Sequence, residues 1–83
     1  MEMNVKAKVY VTLKKSVLDP QGKAVQHALD TLGFREVKGV RIGKYIELDM
    51  NGTEKAVVEK KIKEMCEKLL ANTVIEEYRF DIS

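Results

Sequence analysis

His27 is the sole histidine of this sequence and Cys66 the sole cysteine. A Ser/His/Asp relay needs a histidine set between a hydroxyl and a carboxylate. The serines, Ser16 and Ser83, form no motif with His27, which falls on the polar flank of a helical pattern and reads as solvated. Cys66 falls in an apolar stripe. A nucleophilic thiolate needs an open, electropositive setting, so this thiol reads as a small buried hydrophobe. One histidine and one cysteine fall short of a structural zinc set. Gly22, Gly33, Gly39, Gly43 and Gly52 are dispersed and build no phosphate-cradling pattern. Met1 and Met3 are N-terminal residues, and Met50 and Met65 read as core fillers. The carboxylates spread over element surfaces, and no close pair stands out for acid–base work.

Polar types gather in one place. Lys14-Lys15-Ser16 is followed by Asp19-Pro20-Gln21-Gly22-Lys23. Asp can cap a helix by accepting a backbone N–H, and Pro suits the first helical position, where its missing N–H is not needed. Lysines beside a helix start suggest an anion site. Asp19 at the cap would compete with that anion, which weakens the idea. The other functional reading is a docking surface for another subunit, with Arg41-Ile42-Gly43-Lys44 as its neighbour across the sheet. The plain reading is a solvated loop and a well-capped helix.

These residues need elements to hold them. Val5, Ala7, Val9, Val11 and Leu13 alternate with Lys6, Lys8, Tyr10 and Thr12, a strand with one buried face. A first helix is predicted over about 20–32, with Ala24, Val25, Ala28, Leu29 and Leu32 as its apolar stripe. Gly33 closes it, and Phe34 is expected to fold back onto the core. Residues 34–39 read either as a short edge strand or as an extended connection. From Val40, the apolar positions Val40, Ile42, Ile46, Leu48 and Met50 share one parity, with Lys44 the exception. They predict one long strand bent at Gly43; the alternative is a hairpin turning at Gly43-Lys44. Asn51-Gly52 is a turn and Thr53 an N-cap, with Glu54 in the first turn of a second helix over about 54–70. Its stripe is Val58, Ile62, Met65, Cys66, Leu69 and Leu70, and Glu59/Lys63 and Glu64/Lys68 are favourable i, i+4 pairs. A last strand is predicted over 74–82, with Tyr78, Phe80 and Ile82 on one side.

The expected fold class is a two-layer α/β (α+β) sandwich: one mainly antiparallel sheet of three to four strands with two helices on one face, as a single domain over 1–83. The uncovered face would carry Lys6, Lys8, Tyr10, Thr12, Arg41, Tyr45, Glu47 and Asp49. Tyr10 and Tyr45 make this face an oligomer candidate, because tyrosine buries apolar area and keeps a polar tip. They are also what a small RNA-binding module would use to stack bases. An RNP1-type run is absent, however, and the acids on that face would repel phosphate. An RNA-binding or other protein-interaction module is therefore the alternative function.

At 83 residues the chain buries roughly 60–65% of its unfolded surface, so association would add stability. Net charge is +2 from fifteen basic and thirteen acidic residues, interleaved along the chain. A lone cysteine precludes an intrachain disulfide. No run reaches membrane-spanning length, and the N-terminus lacks a signal-peptide core. A soluble, cytoplasmic protein is expected.

The runs Val9-Tyr10-Val11-Thr12-Leu13-Lys14, Leu18-Asp19-Pro20-Gln21-Gly22-Lys23-Ala24-Val25, Leu32-Gly33-Phe34 and Val40-Arg41-Ile42-Gly43-Lys44-Tyr45-Ile46-Glu47-Leu48 resemble the PurS family. The resemblance covers nearly the whole chain, in order. It implies a subunit of phosphoribosylformylglycinamidine synthase, a ligase of de novo purine biosynthesis. That complex converts formylglycinamide ribonucleotide to formylglycinamidine ribonucleotide using ATP and ammonia from glutamine. It implies three kinds of partner: the large synthase subunit (PurL), the glutaminase subunit (PurQ), and further copies of the chain as a homodimer or tetramer. No cofactor is expected on this subunit, ATP and Mg being used by the complex. No catalytic residue is expected either. The matching runs supply the interface candidates: Lys14, Asp19, Pro20, Gln21, Gly22, Arg41, Gly43, Lys44 and Tyr45.

Overall fold

The structure is a computed structural model that describes residues 3–52 and 54–83, with the side chain of residue 3 left aside. The Thr53 cap and the N-terminal methionine side chains of the sequence reading lie outside the described residues. In chain order the elements are β1 (Met3–Leu13), α1 (Pro20–Thr31), β2 (Gly43–Gly52), α2 (Lys55–Met65), which widens into a π-helical turn over Cys66–Leu70, and β3 (Glu76–Ile82). The three strands form one antiparallel sheet in the order β2-β1-β3. The α+β class and the antiparallel sheet are as the alternation predicts.

β1 is central because its odd positions are small and apolar enough to pack on both neighbours. Val5, Ala7, Val9 and Val11 are all buried, and Ile46, Leu48 and Met50 of β2 and Tyr78, Phe80 and Ile82 of β3 line the same face. Val58, Ile62 and Cys66 of the second helix, with Ala71 after it, close that core. Ile62, Val9 and Cys66 are fully inaccessible.

Topology decides which helix covers the sheet. β2 ends at Gly52, opposite Met3, while β3 begins at Glu76, opposite Leu13. The chain must therefore travel the length of the sheet and cross β1. The sixteen residues Lys55–Leu70 rise about 24 Å, matching the roughly 24 Å of the seven-residue β3. β1 and β2, by contrast, meet at the same end, Thr12 opposite Gly43. The excursion between them need not cross the sheet, and it does not. Eleven strand residues at about 3.3 Å and twelve helical residues at about 1.5 Å come to roughly 54 Å, close to the 55 Å long axis of the molecule. α1 prolongs the molecule end-on.

Both helices were expected on one sheet face; the second lies there and α1 stands off it. Gly22 is its sole buried residue, while Val25, Leu32 and Phe34 are exposed. Phe34 does not fold back onto the core. It is 50% exposed, its N–H donating to Leu29 O at 2.9 Å as Gly33 (φ 100°) ends the helix. Strand bounds also shift. β2 starts at Gly43 rather than Val40, because the Ile42 N–H is spent on Asp19 instead of a ladder. There is one strand here and no hairpin. β3 starts at Glu76, after a turn in which Asn72 O accepts from the N–H of Ile75 (3.1 Å) and of Glu76 (2.7 Å). Of the two expected helical ion pairs, Glu64–Lys68 forms at 2.8 Å. Glu59–Lys63 is not among the ion pairs of the described residues.

Candidate functional site

The corner where β1 hands over to α1 is built by Asp19. Its backbone is extended (φ −113°, ψ 92°), the N-cap geometry, and Pro20 opens the helix. Asp19 Oδ1 accepts from the Gly22 N–H at 2.9 Å, and Oδ2 accepts from the Ile42 N–H at 2.9 Å. One carboxylate thus caps α1 and ties down the segment that returns from it. The Ile42 N–H foremost, and the Gly22 N–H after it, hold the Asp19 carboxyl below the ordinary carboxylate range.

Two glycines make the closeness sterically feasible. A Cβ on Gly22 would run into the Val40 carbonyl oxygen and sit 2.8 Å from Asp19 Oδ2. A Cβ on Gly43 would run into the Val11 carbonyl oxygen and lie 2.7 Å from Thr12 Cγ2. Between them, Arg41 Nη2 donates to Glu77 Oε1 at 2.8 Å, to Thr12 Oγ1 at 3.1 Å and to the Leu13 carbonyl. Arg41 therefore links β1, the returning segment and β3.

Asp19, Gly22, Arg41 and Gly43, separated in sequence, converge here. The other candidates distribute differently. Pro20 and Gln21 lie on the exposed first turn of α1. Lys14 is half-buried and its N–H donates to Ile75 O at 2.9 Å. Lys44 and Tyr45 are adjacent and face opposite sides of the sheet. Lys44 shares the helix-covered side with Val11 and stands 3.8 Å from Glu76. Tyr45 lies opposite Tyr10 on the other side, ring centroids 5.3 Å apart and tilted by 41°. Arg79 sits 4.0 Å over the Tyr10 ring. With one face of that ring capped by a cation, Tyr10 is poorly placed to stack a base.

The uncovered sheet face is a register of opposite charges. Lys6 stands opposite Asp49, and Lys8 lies between Glu47 and Asp81. Such cross-strand pairs support the sheet and leave no strong field for a polyanion. His27 is exposed on α1 and Cys66 is buried, with burial pushing its thiol up. Among the described residues no cluster of three His, Cys, Asp or Glu could hold a metal. Sequence reading missed Glu77 and Glu76, the partners of Arg41 and Lys44. They become neighbours only through the β1–β3 register.

Residues 6–83 match the family model "PurS: Phosphoribosylformylglycinamidine (FGAM) synthase". The chain is 60% identical over 77 residues to the phosphoribosylformylglycinamidine synthase subunit PurS of Bacillus subtilis, covering 93% of this chain and 90% of that protein. The crystal structure of the PurS subunit of Thermotoga maritima phosphoribosylformylglycinamidine synthase (EC 6.3.5.3) superposes with a TM-score of 0.91 at 30% identity, covering 100% of this chain and 95% of the other. A chain of the PurLQS structure from the same organism matches with a TM-score of 0.86 at 30% identity, over 98% of this chain and all of that one (100%). Asp19, Gly22, Arg41 and Gly43 thus form the structural corner of a chain that belongs to the PurS family of phosphoribosylformylglycinamidine synthase.

Proposed function

We propose that this chain is a non-catalytic subunit of phosphoribosylformylglycinamidine synthase in purine biosynthesis, joining a glutaminase subunit (PurQ) to the ATP-dependent synthase subunit (PurL). The observation that carries the reading is full-length similarity to a chain of a PurLQS assembly. The chemistry of the chain agrees with it. The lone histidine is solvated on a projecting helix, the lone thiol is buried, and Asp19 and Arg41 of the corner are spent on holding segments together.

Contact is the work this architecture suits. α1 leaves Val25, Leu32 and Phe34 exposed, and an apolar stripe held off its own sheet is a surface for a second copy of the chain. The interface candidates remain Lys14, Asp19, Pro20, Gln21, Gly22, Arg41, Gly43, Lys44 and Tyr45, with Tyr10 and Tyr45 for the sheet face. Asp19, Gly22, Arg41 and Gly43 act by shaping the corner, whereas Lys44, held only at 3.8 Å from Glu76 and 59% exposed at its side chain, can also meet a partner directly. ATP and Mg serve the complex and not this subunit. No helix of the described residues is long and apolar enough to cross a membrane, in keeping with a cytoplasmic complex.

Reconstitution tests the reading. Glutaminase and synthase subunits should turn over glutamine into the amidine product only when this chain is added, while ammonia-dependent turnover by the synthase subunit persists without it. Equal glutamine-dependent turnover in its absence would refute the bridging role. Lys44→Ala should lower glutamine-dependent turnover with no change in the fold.

A further inference from the structure

A cleft of about 750 Å³ opens between the β1–α1 turn and the segment returning from α1. Lys14, Lys15, Lys23, Lys38 and Arg41 line it, and Asp19 is its only carboxylate. Five cations against one anion give the cleft +4 in a chain of net +2, so the rest of the molecule carries −2. Its charge is therefore separated, although the sequence alone reads as interleaved. The single acid is also spent, both oxygens accepting backbone N–H groups. Arg41 is neutralised by Glu77 at 2.8 Å. None of the four lysines has an ion-pair partner among the described residues, and Lys15, Lys23 and Lys38 are exposed.

Unpaired cations gathered around one cleft give it a positive potential that an acidic surface would complement. A compact phosphate site would need inward-facing donors. Here the helix start is capped by its own Asp19, and the free charges are on long, separate side chains around a broad cleft. Distributed cations of this kind complement distributed carboxylates. We propose that this cleft is the seat of an acidic surface segment of a partner subunit, with Lys15, Lys23 and Lys38 meeting its carboxylates. The proposal rests on the function above and adds the chemistry of the partner. Leu13, Val17 and Val40 among the lining residues give that segment an apolar floor.

The test is assembly of the complex with the triple variant Lys15→Glu/Lys23→Glu/Lys38→Glu. Its milder counterpart is Lys15→Gln/Lys23→Gln/Lys38→Gln, and the control is Lys55→Glu/Lys60→Glu/Lys61→Glu on the second helix. At about 0.1 M salt, charge reversal should weaken association with the glutaminase and synthase subunits at least roughly tenfold. The neutral variant should fall between, and the control should stay within about twofold of wild type. Wild-type affinity should decline as salt rises and that of the reversed variant should not. Circular dichroism and self-association, unchanged throughout, separate docking from folding. Wild-type affinity in the reversed variant overturns the proposal, as does an equal loss in the control. Saturable binding of inorganic phosphate or ATP that the reversal abolishes while assembly persists also overturns it, in favour of a small-anion site. Failure of the wild-type chain to join any complex refutes the functional reading itself, and the docking proposal with it.

Discussion

Gly22→Ala sets two effects of known sign against each other. In a helix, replacing Gly by Ala is favourable by up to about 1 kcal/mol, because less backbone entropy is lost. At this position the new methyl group meets the Val40 carbonyl oxygen and sits 2.8 Å from Asp19 Oδ2. The obstacle is backbone, and it cannot rotate away. The methyl can be admitted only if the 40–42 segment retreats, which stretches or breaks the Ile42 N–H bond to Asp19. Overpacking of this kind costs about 1–3 kcal/mol, so the net effect is a loss of roughly 1–2 kcal/mol. In a domain of this size that lowers Tm by about 5–15 °C. Thermal unfolding at matched protein concentration, with exchange of the Ile42 amide as a local reporter, reads both parts. Gly39→Ala is the control, because no atom lies within 4 Å of the added carbon. It should be neutral or stabilising by up to about 1 kcal/mol. A Gly22→Ala protein as stable as wild type, with the Ile42 amide equally protected, would refute the close-approach argument.

Ile62→Ala removes a fully buried side chain from the contact of helix and sheet; it should destabilise by about 2–5 kcal/mol in urea unfolding. The Asp19 carboxyl is lowered from 3.8 by backbone donors. Its contribution is therefore complete above the unfolded-state value and is lost as pH falls through the lower folded-state value. An NMR titration should show the Asp19 carboxyl titrating below 3.8, with the Ile42 amide shifting in step, and Asp19→Asn should abolish the shared transition. Cys66 is buried with its thiol pushed up, so at pH 8 it should resist a thiol reagent until the chain is unfolded.

Asp19-Pro20 announces a capped helix start because capping chemistry is local: a side chain meets an N–H three residues on. The second bond of the same carboxylate, to Ile42, spans 23 residues and no local pattern encodes it. Similarly, Gly43 is legible as a special backbone position. Its reason, the Val11 carbonyl beside it, appears only once β2 is paired to β1. Arg41 and Lys44 were legible as polar residues of interest, but their partners Glu77 and Glu76 depend on the register of β3. The basic cleft is the extreme case. Lys14, Lys15, Lys23 and Lys38 are diluted by acids along the sequence and gathered by the return of the 38–41 segment.

By itself the sequence determined the strand faces, the two helices and the family. Those properties live in residue type and short spacing: a period of two, a period near 3.6, a cap, a matching run. Only the tertiary structure decided where α1 goes. Its apolar stripe predicts a covered helix, yet β1 and β2 join at one end of the sheet and the crossover from β2 to β3 gives the sheet face to the second helix. An amphipathic pattern states that a face will be buried. Connectivity determines whether the chain's own sheet, or another surface, buries it.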